Sequence, residues 1–150
     1  MINRLRLKSI VWFSHFHSSV MRLSKGRLMS KLLNLQMLLL ITKGKRTGAR
    51  RHTPLLYIKC QDSYYCAASF GGSDKHPDWF LNLSQDSLVK MKVGTCDFPA
   101  KSYELFGQER ERFWEKLVEY YPPFAKYQIR TSRIIPVVKF TPNTDRTRLT

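Results

Sequence analysis

Apolar positions along the chain fall into two periods. Between residues 10 and 33, Phe13, Phe16, Val20 and Leu23 recur at three- and four-residue spacing, with Arg22, Lys25, Arg27 and Lys31 off that stripe. This is the pattern of an amphipathic helix, weakened at Gly26. Beyond it the period shortens. "MLLLIT" is a brief apolar run suited to a strand buried on both faces, and "TPLLYIKC" and "SYYCAAS" flank Gln61-Asp62 as the arms of a hairpin. Pro54 has no N–H to donate and belongs at a strand start or edge. In "VKMKV", Val89, Met91 and Val93 face one way and Lys90 and Lys92 the other. Gly94-Thr95, with glycine first, suits a two-residue type II′ turn into "CDFPAKSYEL", and "RIIPVVKF" reads as the last strand.

Helical patterns interrupt the strands twice. Pro77 suits the first position of a short helix through "DWFLNL", which sets Trp79 and Asn82 three residues apart on one face. A longer helix follows Gly107, with Phe113, Trp114, Leu117 and Tyr121 along its apolar face. Pro122-Pro123 ends it, and "FAKYQIRT" makes a further short helix. Six short strands, mostly in hairpin order with helices inserted, predict an antiparallel barrel of mostly-β or α+β class, preceded by the N-terminal helix. The expected divisions are a basic amphipathic segment at 1–36, the barrel domain at 37–141 and a tail at 142–150.

Charge changes this picture more than composition does. A chain of 150 residues with 43% hydrophobic and 13% aromatic content is ordinary material for one globular domain. Its formal net charge of +15 is not ordinary, and implies an anionic partner: nucleic acid, an acidic membrane surface or a polyanionic small molecule. No Asp or Glu occurs before Asp62, so the positive potential belongs to the N-terminal part. The helix at 10–33 either lies on an anionic membrane or packs its stripe on the domain. "IVWF" is too short for a signal-peptide core. The run from Leu32 to Ile41, interrupted by Asn34 and Gln36, is too short to span a bilayer, so a soluble or peripheral protein is expected. Cys60, Cys66 and Cys96, an odd set without C-x-x-C, read as reduced thiols in a cytosolic protein.

Most common catalytic patterns are missing. Gly44 to Gly48 is one residue too tight for a Walker A loop, and no G-x-G-x-x-G occurs. His15 and His17 would point to different faces of a helix, His52 and His76 stand alone, and no metal site or Ser-His-Asp arrangement is expected. Glu109, Glu111, Glu115 and Glu119 interleave with Arg110, Arg112 and Lys116, which reads as a solvated helix face. What remains is "TKGKRTGARRHTPLLY", residues 42–57, where Lys43, Lys45, Arg46, Arg50 and Arg51 crowd around two glycines. Glycines let backbone N–H groups converge on an anion, and neighbouring guanidinium groups add charge-assisted bonds. The alternatives are a phosphate site and a solvated basic loop.

A second segment, "AASFGGSDKHPDWFLNL" at 67–83, sharpens the choice. G-K-R-T-G-x-x-R followed by A-S-x-G-G-x-x-x-H-P-x-W-x-x-N-L resembles the deazaflavin-dependent nitroreductase family, split β-barrel oxidoreductases that use coenzyme F420. The likeness runs from Leu38 to Phe140 and includes "GQERERFWEKLVEYYP" and "RIIPVV". It implies that Lys45, Arg46 and Arg51, with Lys43 and Thr47 of the same loop, hold the cofactor phosphate. It further implies that Ser69, Gly71 and Gly72 lie over the deazaflavin ring, Ser69 at the reacting end, that Trp79 and Asn82 complete the cofactor wall, and that Tyr121 and Tyr127 close the acceptor pocket. Several positions depart from the family pattern. The usual Gly-Arg-Lys-Ser-Gly has Lys45 and Arg46 in swapped order and Thr47 for Ser, Phe124 replaces an aromatic with a hydroxyl, and Phe70 is bulky before Gly-Gly.

The implied reaction is hydride transfer from reduced F420 to a quinone, nitro-compound or activated alkene, in the cytoplasm or at the inner face of the plasma membrane. A deazaflavin coenzyme carries a phosphodiester and an oligoglutamate tail, which suits a surplus of bases better than the single phosphate of FMN does. An FMN-binding relative on the same barrel is one alternative, and a non-enzymatic basic nucleic-acid-binding module is another. The oligomeric state stays open, with a homodimer consistent with the habit of split barrels.

Overall fold

The computed structural model describes residues 35–143; the expected N-terminal helix and the end of the tail lie outside them. Strand β1 (Met37–Lys43) turns back through residues 44–49 into β2 (Arg50–Leu56), with Met37 opposite Leu56 and Lys43 opposite Arg50. After Tyr57 come β3 (Ile58–Cys60) and β4 (Ser63–Ala67), joined at Gln61-Asp62 as the sequence predicts. A 3-10 turn at Phe70–Gly72 and helix α1 (Asp78–Leu83) lead to the hairpin of β5 (Leu88–Val93) and β6 (Cys96–Glu104). Helices α2 (Gly107–Tyr120) and α3 (Pro123–Ile129) precede β7 (Val137–Pro142). In the β5–β6 turn φ is positive at Gly94 and not at Thr95, as a type II′ turn requires.

All seven strands form one antiparallel sheet in the order β2-β1-β5-β6-β7-β4-β3. Its two end strands, β2 and β3, are separated in the chain by Tyr57 alone. The sheet therefore has to curl until its edges approach, giving a split-barrel-like fold. This also explains why "TPLLYIKC" is two strands rather than one, and the count seven rather than six. Leu56 pairs with Met37 on one edge, while Ile58 pairs with Tyr65 on the other. At the break the Tyr57 N–H donates to the Gln36 carbonyl (3.2 Å), and the Tyr57 ring meets Tyr64 edge-on at 5.3 Å.

Two cores result. Inside the barrel, Leu38 and Leu40 of β1 meet Met91, Val138 and Phe140, all fully or almost fully buried. Outside it, α2 and α3 cover the other face of β4 and β7, where Phe113 and Leu117 pack on Tyr65 and Val137. Tyr65 stacks on Phe113 with centroids 3.7 Å apart. With both faces covered, every residue of β4 is buried.

Two local expectations are corrected. Arg110 does not join a solvated helix face but is buried (7% exposed). Its Nη2 donates to the Ile135 carbonyl at 2.7 Å, Nη1 pairs with Glu111 at 2.9 Å, and the guanidinium lies 4.8 Å over Trp114. A planar fork can satisfy a buried carbonyl in a way that sequence spacing does not reveal. The last strand begins at Val137, not Arg133. Pro136 has no N–H for a ladder, and its carbonyl instead accepts the Ala68 N–H at 2.9 Å.

Candidate functional site

The basic stretch becomes a tight hairpin loop. The Gly44 N–H donates to the Ala49 carbonyl and the Gly48 N–H to the Gly44 carbonyl, both at 2.8 Å. A Cβ on Gly44 would stand 3.0 Å from Thr47 Oγ1 and 3.2 Å from the Ala49 carbonyl, so any larger residue there would push the loop apart by a few tenths of an ångström. Thr47 is its internal brace. Its Oγ1 accepts from the Ala49 N–H (3.3 Å) and from Arg51 Nη2 (3.4 Å), which orients that guanidinium. The side chains of Lys43, Lys45, Arg46, Arg50 and Arg51 remain exposed. A cleft of about 490 Å³ opens beside them, lined by Lys43, Gly44, Lys45, Gly48, Gln85 and Asp86.

Asn82 anchors this loop to α1. It is buried; its Oδ1 accepts the Lys45 N–H at 2.9 Å and its Nδ2 donates to Thr42 Oγ1 at 3.0 Å. Both ends of the amide are therefore engaged within the protein, and Asn82 acts on the loop by fixing Lys45. Trp79, one turn earlier, belongs to the barrel interior, 5% exposed and with its centroid 6.3 Å from that of Phe140. The pair sits beneath the site and supports it.

Ser69, Gly71 and Gly72 form a second assembly with the tyrosines. Ser69 ends the buried run after β4. Phe70, Gly71 and Gly72 then adopt φ of 42°, 63° and 78°, a left-handed run that is unusual for the non-glycine member. A Cβ on Gly72 would fall 2.7 Å from the Tyr127 carbonyl oxygen and 2.9 Å from its Cα, so the turn packs directly on α3. Tyr121 and Tyr127 have centroids 6.5 Å apart, with Phe124 at 5.0 Å from the first and 6.1 Å from the second. Burial, and then a hydrogen bond to Tyr127, push the Tyr121 pKa up to about 12. Tyr121 is thus a persistent hydrogen-bond donor near neutral pH.

The expected site residues therefore fall into two groups, the basic loop with Asn82 and Trp79 beneath it, and the glycine turn with Tyr121 and Tyr127, joined in the chain by residues 73–82. Sequence reasoning missed three contributors. Thr42 receives Asn82. Arg133 donates through Nε to the Ser73 carbonyl (2.9 Å) and through Nη2 to the carbonyls of Ala68 and Ser69 (both 3.1 Å). His76 meets Arg133 Nη1 through Nδ1 at 3.3 Å. The one signal for Arg133 was Pro136, which keeps the preceding residues out of a strand ladder.

The curled barrel alone is widely shared. The heme storage protein HutZ of Vibrio cholerae is 11% identical with a TM-score of 0.56, over 73% of this chain and 82% of its own, a likeness of fold alone. The family comparisons define a narrower class, the oxidoreductases that use a deazaflavin. Residues 12–142 match the F420H(2)-dependent quinone reductase family, and the chain belongs to that family. An F420H(2)-dependent quinone reductase of Mycobacterium tuberculosis is 34% identical over 129 residues, 83% of this chain and 87% of the relative. The solved F420-H2 dependent reductase FDR-A is 38% identical with a TM-score of 0.65, covering 70% of this chain and 93% of that one. A solved domain-swapped dimer is 33% identical with a TM-score of 0.65, over 82% and 98%.

The protein is thus an oxidoreductase, and its cofactor is coenzyme F420 rather than FMN. The residues present fit that group through their side chains: residues 42–57 hold five cations and no carboxylate, whereas the N–H groups of Gly44, Lys45, Gly48 and Ala49, expected to converge on an anion, are bonded within the protein. No helix among the described residues is long and apolar enough to cross a membrane.

Proposed function

We propose that the protein reduces a quinone with F420, holding the cofactor phosphate on Lys43, Lys45, Arg46, Thr47 and Arg51. Ser69, Gly71 and Gly72 lie over the ring, and Tyr121 and Tyr127 orient the acceptor. The observation that supports this reading is the packing of Gly72 on the Tyr127 backbone, which brings the glycine turn against the helix that carries Tyr127, whose ring stands 6.5 Å from that of Tyr121. Bound in its reduced form, the deazaflavin supplies a hydride from C5. Tyr121, neutral, donates to the Tyr127 hydroxyl, which in turn donates toward the acceptor oxygen on which negative charge develops. Phe124, almost fully buried between the tyrosines, excludes water from that end. The family name favours a quinone over a nitro-compound or an activated alkene.

Three finer points go with this reading. The domain-swapped relative supports a homodimer. Unpaired Cys60, Cys66 and Cys96 suit a reducing compartment such as the cytoplasm. A lipid-soluble quinone would bring the protein to the inner face of the plasma membrane, where the bases of the 1–36 segment favour anionic lipid.

The test is oxidation of reduced F420 with menadione, a nitroaromatic and cyclohexenone as competing acceptors. Menadione should turn over fastest. Tyr121→Phe and Tyr127→Phe should each lower kcat about tenfold, the worth of one hydrogen bond, and leave F420 affinity intact. Unchanged rates in both would remove the tyrosines from the acceptor pocket. A pH series adds a check on Tyr121. Its folded pKa lies above the unfolded value of about 10, so its contribution to stability is complete below that value and is lost as pH rises toward about 12. Melting curves of Tyr121→Phe should lack that part of the alkaline decline.

A further inference from the structure

The glycine turn does not hold its own shape. Three successive left-handed residues, one of them Phe70, persist only when the surroundings over-determine them. Packing on Tyr127 fixes one side. The other side is gripped by Arg133, which lies between α3 and β7 and donates to the carbonyls of Ala68, Ser69 and Ser73, bracketing the turn. Arg133 is itself held from α3. Gln128 Nε2 donates to the Arg133 carbonyl at 2.8 Å, and Gln128 Oε1 accepts the Ile135 N–H at 2.9 Å. Thr131 Oγ1 adds a bond to Asp74 Oδ1 at 2.8 Å. The segment from 128 to 135 therefore acts as a clasp across residues 68–74.

His76 completes the clasp. A guanidinium has no acceptor, so the contact with Arg133 Nη1 requires a lone pair on His76 Nδ1, and hence a neutral ring protonated on Nε2. The ring lies against Phe80 with centroids 4.9 Å apart. Arg133 of the clasp is the charged group whose field reaches the ring, and the exposed Asp74, Lys75 and Asp78 flank it along the chain. Burial, and then the positive charge of Arg133, lower the His76 pKa. Protonation would remove the acceptor and set two cations together.

We propose that Arg133 is a positioning residue that holds residues 68–73 in the shape which receives the deazaflavin ring, with neutral His76 as its anchor. The proposal rests on the reading that the ring lies on this turn, and the test separates the two. In the full-length protein, F420 affinity is measured by fluorescence titration from pH 5 to 8. Hydrogen exchange of residues 69–75 is followed in the cofactor-free protein. Arg133→Gln should raise the Kd about tenfold and speed exchange at 69–75, with Arg133→Lys recovering part of both.

Wild-type affinity should fall on acidification as His76 gains a proton. His76→Gln, which offers an acceptor that does not titrate, should show a shallower fall; titrations belonging to the cofactor cancel in this comparison. Gly72→Ala displaces the turn by a different route, against the Tyr127 backbone. If Gly72→Ala leaves the Kd unchanged, the ring does not lie here and the parent reading fails. If Gly72→Ala weakens binding while Arg133→Gln alters neither Kd nor exchange, only the role of Arg133 is overturned. Should Arg133→Gln fail to fold, the His76→Gln comparison decides, and identical pH profiles would overturn the proposal.

Discussion

The double variant Arg46→Ala, Arg51→Ala should bind F420 about 3 kcal/mol more weakly than wild type, roughly 150-fold in Kd, and should melt at the same temperature. Both side chains are exposed. Arg51 touches the protein through one long bond to Thr47, at 3.4 Å, so removing it costs the fold little. Toward a phosphate the position is different. Each guanidinium can make charge-assisted bonds worth roughly 1.5–3 kcal/mol, and the two act on one anion. The range is wide enough to absorb some non-additivity, because neighbouring charges in one loop share their ligand. The gap between variant and wild type should narrow as salt rises, since the site is open to solvent. Fluorescence titration at two ionic strengths, beside a thermal melt, reads both parts. Unchanged affinity would mean that the loop serves some other anion.

What was legible in the sequence was local. The alternation of Val89, Lys90, Met91, Lys92 and Val93 gave β5, Gln61-Asp62 and Gly94-Thr95 gave their turns, and Pro77 and Pro122-Pro123 bounded the helices. Each of these signals lies within a few residues of what it determines. The split at Tyr57 does not. A continuous apolar run looks the same whether its halves pair with one neighbour or with opposite edges of a sheet, and only closure of the sheet distinguishes the two.

Arginines that serve the interior left no sign for a related reason. Arg110 and Arg133 look like surface charge because their partners, the carbonyls of Ile135, Ala68, Ser69 and Ser73, are common to every residue and leave no mark in the sequence. The candidate site divides the same way. Its basic loop was readable from charge and glycine, while its supports at Thr42, Arg133 and His76 were visible only once the chain had folded.

Asn82 offers the sharpest separation of support from electrostatics. Asn82→Ala removes the partner of the Lys45 N–H and leaves the buried Thr42 hydroxyl without its donor, which should destabilise the protein by about 2 kcal/mol. The loop would also lose the bond that aims Lys45, and the Kd for F420 should rise about tenfold. Asn82→Asp should behave differently. A carboxylate can accept from both the Lys45 N–H and the Thr42 hydroxyl, so the loop stays anchored and the melting temperature falls less than for Ala. Its charge, however, lies beside the basic loop proposed to hold the phosphate, where attraction by the bases becomes partly repulsion. At low salt Asn82→Asp should therefore bind F420 more weakly than Asn82→Ala, and added salt should recover part of the loss. The two variants would then rank in opposite orders for stability and for affinity. Melting and titration of both proteins in one buffer check this. If Ala is the worse variant by both measures, residue 82 matters only as a strut, and the anion does not sit at this loop.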